Sequence, residues 1–457
     1  MSADTSTEAG NTAVITPPRP GAPIADWHPE DVEFWEREGA GTARRNLILS
    51  VFAEHLGFSV WSLWSVFVLF LGPAYHVDTA GKFFLTTVPT VVGSVLRLPY
   101  TFAVARFGGR NWTMFSAALL LLPCILAAVL LKPGISYSTL MVLAATAGVG
   151  GGNFASSMAN INAFYPERLK GTALGLNAGG GNIGVAAVQL IGLLVLATAG
   201  IAHPRTILAI YIPLVVLAAL GAMLFMNNLT QMRNDKRAMR DATREVHTWI
   251  MSLLYIGTFG SFIGFSFAFG QVLQVQFKWT PRQAADLVWL GPLLGSLIRP
   301  VGGALADRVG GAKVTFWNFV AMAAAALLVL IASVQKSLPL FLTGFILLFV
   351  FSGVGNGSAY KMIPAIFRSK ANAAIENGAD TVLAQREARR LAGALIGIAG
   401  AIGAFGGALV NFAFRESFLT YKSGNAAYIA FLAFYGLCFV VTWAVYLRPG
   451  ARRLTGV

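Results

Sequence analysis

The chain has 457 residues, 56% of them hydrophobic and 12% charged, against about 25% charged in ordinary soluble domains, and its mean hydropathy is +0.65. A soluble globular protein is excluded, and there is room for about twelve bilayer-spanning helices of roughly 20 residues each. The net charge of +14 does not point to nucleic acid, because the charges sit in short loops between apolar runs and form no basic domain.

Residues 1–25 are polar and rich in Pro, Ser and Thr. They read as a disordered cytoplasmic tail without the apolar core of a secretory signal. Asp26-Trp27-His28-Pro29-Glu30-Asp31 opens a short surface helix, with proline and acids in its first turn. Trp27, Phe34 and Trp35 are placed to rest it on the membrane, and Arg44 and Arg45 close it. Twelve spans follow at 46–71, 82–105, 111–132, 138–164, 171–199, 206–227, 248–276, 283–306, 313–334, 338–366, 391–414 and 427–447. The longest polar interruption runs from Asn228 to Val246 and carries Arg233, Lys236, Arg237, Arg240 and Arg244. The resulting plan is a tail over 1–45, a six-helix bundle over 46–227, a cytoplasmic linker over 228–247, a second bundle over 248–447 and a tail over 448–457. With the N-terminus inside, 23 of the 34 Lys and Arg fall in cytoplasmic segments. The positive-inside rule therefore places both termini in the cytoplasm.

The two cysteines, Cys124 and Cys438, lie within apolar runs, and the five histidines lack ligand spacing. No disulfide framework, metal site or cofactor is expected, nor the nucleophile constellation of an enzyme.

The two halves repeat each other. Gly93-Ser94-Val95-Leu96-Arg97 returns as Gly295-Ser296-Leu297-Ile298-Arg299, and Arg106, Gly108 and Gly109 return as Arg308, Gly310 and Gly311 at the same offset. Gly148-Val149-Gly150-Gly151-Gly152 resembles Gly353-Val354-Gly355-Asn356-Gly357. Two parallel six-helix bundles with a site between them suit a rocking transporter. Gly303-Ala-Leu-Ala-Asp307-Arg308-Val-Gly310 resembles the G-x-x-x-D-R-x-G signature of the major facilitator superfamily. Asp307 and Arg308 are thereby gating candidates on the cytoplasmic face.

Arg97 and Arg299 each precede a loop arginine by nine residues. At 1.5 Å per residue that is about 13 Å, near the middle of a roughly 30 Å hydrocarbon core. An arginine there costs at least ~2.5–3.5 kcal/mol to insert and normally faces a cavity with a partner. Buried carboxylate pairs are one reading, but no acid in spans two or eight reaches mid-depth, and none is placed at that depth elsewhere. The other reading is that a mobile anion is the missing partner, matched to the planar guanidinium fork. Glycines crowd span five (Gly171, Gly175, Gly179–Gly181, Gly184) and span eleven (Gly397, Gly400, Gly403, Gly406, Gly407). Close helix packing accounts for most of them. Asn182, an amide within that stripe, is placed to hydrogen-bond a substrate.

Five segments are similar to the NarK-type nitrate/nitrite porters of the major facilitator superfamily: Asn153 to Ile161 (N-F-A-S-S-M-A-N-I), A-L-G-L-N at Ala173 to Asn177, G-N-I-G-V at Gly181 to Val185, Trp249 to Tyr255 and Thr258 to Phe265. The N-terminal Asp26-Trp27…Phe34-Trp35 segment adds to the resemblance, which spans essentially the whole chain. It implies a multi-pass carrier of the bacterial inner membrane that works as a monomer in the lipid bilayer. Its implied substrates are nitrate and nitrite. The implied anion ligands are Arg97, Arg299, Tyr255 and Asn182, with Phe154 and Phe259 sandwiching the flat ion. The chain departs from the family's antiporters at Glu54, His55 and Lys361, ionisable groups inside spans one and ten. Either Glu54 and Lys361 form a compensated latch, or Glu54 or His55 couples protons to transport. Exchange of nitrate against nitrite is the expected mode and proton symport its alternative. An organic-phosphate antiporter and a nitrate-sensing receptor are the remaining readings. A receptor is disfavoured because no stretch outside the spans is large enough for an output domain.

Overall fold

The computed structural model describes residues 19–232 and 235–448. Residues 1–18 and 449–457 of the expected tails, and Arg233 of the linker, lie outside the described residues. Among the described residues, eleven helices are long and apolar enough to cross a membrane. They are span one (Val32–Phe70), two (Thr79–Phe107), three (Gly109–Leu130), five (Glu167–Thr198), six (Thr206–Phe225), seven (Val246–Phe277), eight (Pro281–Val309), nine (Gly311–Val334), ten (Leu338–Glu376), eleven (Thr381–Tyr421) and twelve (Asn425–Leu447). The remaining expected span, four, is broken into Tyr137–Ala147, a 3-10 stretch Gly148–Gly152, and Asn153–Phe164. The break has a packing cause. A Cβ on Gly150 would stand 2.2 Å from the Gly57 carbonyl oxygen, and one on Gly151 would stand 2.7 Å from the Gly93 Cα. The backbone of span four is thus pressed onto spans one and two.

Spans two and eight end alike. Gly108 and Gly310 have φ of +89° and +100°, and their amides bond back to Val104 and Ala306. Only glycine takes this left-handed stop without strain, so the repeat reaches down to the helix caps. Side chains along span two sort by direction: Val95 is 59% exposed, as expected of a lipid-facing residue, while Arg97 is 1% exposed. Spans ten and eleven run past the expected ends at 366 and 391, to Glu376 and from Thr381. Periodicity in hydropathy marks the membrane core, not where backbone hydrogen bonding stops.

The N-terminal reading needs correction. Residues 19–25 are not a free tail: Pro23–Ile24 pairs in parallel with Asn228–Leu229 just after span six. The helix starts at Val32, capped by Asp31, and joins span one without a break at Arg44 and Arg45. Trp27 and Trp35 are buried in an apolar cluster with Phe164 and Tyr165, not turned outward. Trp27 donates to the Phe164 carbonyl at 3.2 Å, and the Glu30 carboxylate accepts from the Glu167 amide at the start of span five. The indole finds a buried acceptor in the protein, which satisfies its N–H better than an interfacial position would.

In the linker, a helix Lys236–Arg244 is tied to span eleven. Ala238 and Ala242 pack on Ala394 and Ile398, and Arg390 pairs with Asp235 at 2.6 Å and Asp241 at 2.7 Å. The Arg390 guanidinium holds the Asp235 carboxyl below its ordinary range.

The halves meet differently at their two ends. At the end away from the termini, Thr86 of span two donates to Asn411 of span eleven at 2.9 Å, and Gln189 of span five donates to the Ser266 carbonyl of span seven at 2.8 Å. Phe83 stacks on Phe418 at 5.4 Å. At the end carrying the termini, a Cβ on Gly175 or Gly393 would meet nothing within 4 Å. Their neighbours one turn away, Gly171 and Gly397, look across at Lys361 and Thr101, each at 3.8 Å. The protein is shut at one end and slack at the other.

Candidate anion site

Arg97 lies between the halves. Its Nε donates to the Gly151 carbonyl of span four at 3.1 Å, and its Nη1 donates to the Gly400 carbonyl of span eleven at 2.8 Å. Nη2 is buried without a partner. The guanidinium carbon stands 4.7 Å from the Phe154 ring centre and 5.0 Å from that of Phe259. Those rings are 6.2 Å apart and inclined by 30°. Desolvated cation–π contacts of this kind are worth about 2 kcal/mol, which holds the charge at the open edge of the ring pair.

Arg299 is 6% exposed. Its Nη2 donates to the Tyr255 hydroxyl at 3.2 Å, and its Nη1 is buried without a partner. Its guanidinium carbon lies 5.6 Å from the Tyr360 ring centre. Tyr255 in turn stacks on Phe259 at 5.3 Å. Phe259 sits in a π-helical turn, Ile256–Gly260, a distortion that recurs at functional sites. The turn is accommodated because Gly260 faces Gly406, where an added Cβ would stand 2.8 Å from the glycine Cα.

Neither guanidinium has a carboxylate within ion-pair distance among the described residues. Two buried, incompletely partnered cations therefore stand within electrostatic reach of each other. Each orphaned donor costs about 1–3 kcal/mol unless something accepts from it, and an oxyanion offers that acceptor to both.

The structure thus brings Arg97, Arg299, Phe154, Phe259 and Tyr255 together. Asn182 is 1% exposed with neither amide atom partnered. It directly follows Gly181, whose Cβ would strike Glu54.

Glu54 requires two corrections. It is 0% exposed and lies within electrostatic reach of both Arg97 and Arg299, so an acid does stand near the arginine pair, supplied by span one. It also does not pair with Lys361. Its Oε2 is bonded by the Ser157 hydroxyl and by the Asn177 amide at 2.6 Å, and its Oε1 has no partner. Lys361 instead joins Asp307 of span eight at 2.8 Å, a half-exposed pair within the second half. The expected latch is not made because the long Lys361 side chain reaches from its backbone to the charged helix end of span eight. His55 donates from Nδ1 to the Gly180 carbonyl at 3.1 Å and serves as a strut between spans one and five. Arg308 is exposed at the helix end.

Several neighbours escaped the sequence reading. The Gly151 and Gly400 carbonyls that hold Arg97 carry no side-chain signal. Tyr360 had one in its position beside Lys361 in a glycine-rich run matching that of span four. Ser157 and Asn177 stood within the quoted motifs, but their convergence on Glu54 needs spans one, four and five in place.

Comparison with known proteins bears on this arrangement. The Major Facilitator Superfamily model matches residues 47–410. The chain is 39% identical over 447 residues to the nitrate/nitrite transporter NarU of Salmonella typhimurium, covering 93% of this chain and 96% of that protein. It is 37% identical to NarU of Escherichia coli, with the same coverage. Against the probable nitrate/nitrite antiporter NarK2 of Thermus thermophilus it is 34% identical, covering 95% and 98%. Among solved structures it resembles a D-xylose-proton symporter with a TM-score of 0.67 at 12% identity, covering 91% and 99%. It also resembles a bacterial Spinster homologue, inward-facing and unoccupied, with a TM-score of 0.61 at 14% identity, covering 88% and 96%. These two similarities speak to the fold.

Proposed function

Because the chain belongs to the NarK-type nitrate/nitrite porters of the major facilitator superfamily, we propose that it carries nitrate and nitrite across the bacterial inner membrane by alternating access between its two halves. The observation that supports this most is the pair of buried guanidiniums, each with an unpartnered Nη and no carboxylate in contact. Nitrate lies in the space they share. Arg97 and Arg299 reach its oxygens in the plane, and Phe154 and Phe259 cover its faces. Two ring-to-ion contacts of about 3.5 Å need roughly 7 Å between ring planes, so the rings, whose centres are 6.2 Å apart, part as the ion enters. Tyr255 and Asn182 complete the ring of donors. The substrate offsets the repulsion between the arginines and lets the halves close; the empty carrier keeps that repulsion.

Both termini are cytoplasmic in this reading, since the lysine and arginine bias favours it, and the slack end is then the cytoplasmic one. The carrier works as a monomer. Asp307 with Lys361, and Arg308 beside them, gate that face. The inside-negative potential opposes anion entry by about 2.3 kcal/mol per 100 mV. Exchange against nitrite cancels this charge.

Proton symport is a second reading, favoured by Glu54. A carboxylate that is fully buried, bonded only through Oε2 and near two cations is suited to change its protonation as the anion binds and leaves. The charged groups around it are Arg97 and Arg299; His55 is turned onto span five and Lys361 onto Asp307.

The deciding experiment is nitrate uptake into proteoliposomes driven by internal nitrite alone or by a pH gradient alone. Exchange predicts uptake with nitrite and none with the gradient. Glu54→Gln is then expected to retain nitrite-driven uptake and to lose any gradient-driven part; gradient-driven uptake unchanged in that variant removes Glu54 from coupling.

A further inference from the structure

Asn356 of span ten is 1% exposed, and neither its amide nitrogen nor its amide oxygen has a partner. Its direction follows from its neighbours. A Cβ on Gly355 would meet Thr258 of span seven and Asn318 of span nine, each at 2.5 Å, and a Cβ on Gly357 would meet the Arg299 carbonyl of span eight at 2.2 Å. Asn356 lies between those two directions. Residues seven before and four after share its helical face. The first, Phe349, packs edge-on against Phe262 of span seven and covers Gly291 of span eight. The second, Tyr360, lies 6.4 Å from Tyr255 and under the Arg299 guanidinium. The face thus looks into the angle between spans seven and eight, where Tyr255, Phe259 and Arg299 stand.

The internal repeat adds an independent argument. In the matched glycine-rich runs, Asn356 occupies the place of Gly151, whose backbone carbonyl fixes Arg97. Among the described residues Arg97 is held by two backbone carbonyls and the guanidinium of Arg299 by one hydroxyl, that of Tyr255; each keeps one unpartnered Nη. The second half has put a carboxamide where the first has an anchor.

We propose that Asn356 is a further anion-binding residue: its amide donates to a substrate oxygen beside Arg299, and it sets preference among small flat oxyanions. The proposal rests on nitrate and nitrite being the substrates. An amide carries two N–H donors that need no charge balance, so it adds a directed bond on the second half without a third buried cation. Nitrate has three oxygens and nitrite two. A donor added beside Arg299 to those of the two arginines therefore bears on the third oxygen, and so on the choice between the two ions.

The test compares wild type with Asn356→Leu and Asn356→Ala in purified carrier and in proteoliposomes. The wild-type protein is expected to take up nitrate in exchange for nitrite, and failure of that control would overturn the substrate assignment, not the role of Asn356. With the control working, Asn356→Leu raises the KM for nitrate at least tenfold and changes the nitrate-to-nitrite KM ratio at least threefold. Without nitrate the same variant melts at or above the wild-type temperature, because it removes an unpartnered buried amide. Nitrate then adds less stabilisation than it adds to wild type. A structural amide would behave oppositely, lowering the nitrate-free melting temperature and leaving the KM ratio unchanged. That result, or unaltered KM values in both variants, overturns the proposal.

Discussion

Arg97→Ala and Arg299→Ala each reduce nitrate transport to background while the protein still reaches the membrane. Removing one partner of a buried, hydrogen-bonded charge contact costs about 2–5 kcal/mol, or roughly 30- to 4,000-fold in affinity. The two variants differ in their side effects. Arg97 bridges the halves, from the Gly151 carbonyl to the Gly400 carbonyl, and caps the edge of the Phe154–Phe259 pair. Its loss therefore loosens the closed arrangement as well as the anion site. Arg299 is hydrogen-bonded within its own half, to Tyr255, so its loss acts on binding. Arg299→Lys keeps the charge but lacks the planar fork, and should retain a small fraction of uptake with a raised KM. Uptake in membrane vesicles, with the amount of carrier measured alongside, checks all three; near-normal uptake in either alanine variant contradicts the assignment.

Gly175→Leu and Gly393→Leu should stop turnover without destabilising the protein. Each lies at the slack end with no atom within 4 Å of an added Cβ, so leucine is accommodated in the present arrangement. Alternating access requires this seam to close as the opposite end opens. A leucine overpacked into a closed helix seam costs about 1–3 kcal/mol, which lowers the population of the opposite state by roughly 5- to 150-fold. Melting temperature should stay near wild type while counterflow falls by at least fivefold. Gly407→Leu provides the contrast. Its Cβ would already meet Ile263 at 2.7 Å and Thr90 at 3.1 Å in the shut end, so it should weaken the present state. Normal turnover in both seam variants would mean that this end does not close during transport.

The arginine pair was legible because helical rise is fixed, so counting residues gives depth, and the repeat gave the count twice. The same repeat set Gly108 and Gly310 at matching positions, and the fold makes both of them helix stops. What stayed hidden depends on contacts between distant segments. The pairing of Pro23–Ile24 with Asn228–Leu229 joins residues about two hundred apart, and a two-residue strand leaves no periodicity. The 3-10 stretch at Gly148–Gly152 and the π turn at Phe259 reflect close approach of neighbouring backbones, which composition flags only as an excess of glycine. Glu54 was visible as an ionisable group in an apolar span. Its partners were not, because Ser157 and Asn177 belong to two other helices. A sequence reading supplies which groups are out of place in lipid, and the fold decides which of them meet.

The claim that two arginines and two ring faces select a flat, singly charged oxyanion is tested most directly by competition. Wild-type carrier in proteoliposomes loaded with nitrite is given labelled nitrate outside, with unlabelled nitrite, phosphate or sulfate in tenfold excess. The account predicts that nitrite suppresses labelled uptake strongly, while the tetrahedral phosphate and sulfate leave it within experimental scatter of the uncompeted rate. Suppression by phosphate equal to that by nitrite would contradict it and would return the arginine pair to a general anion or organic-phosphate site.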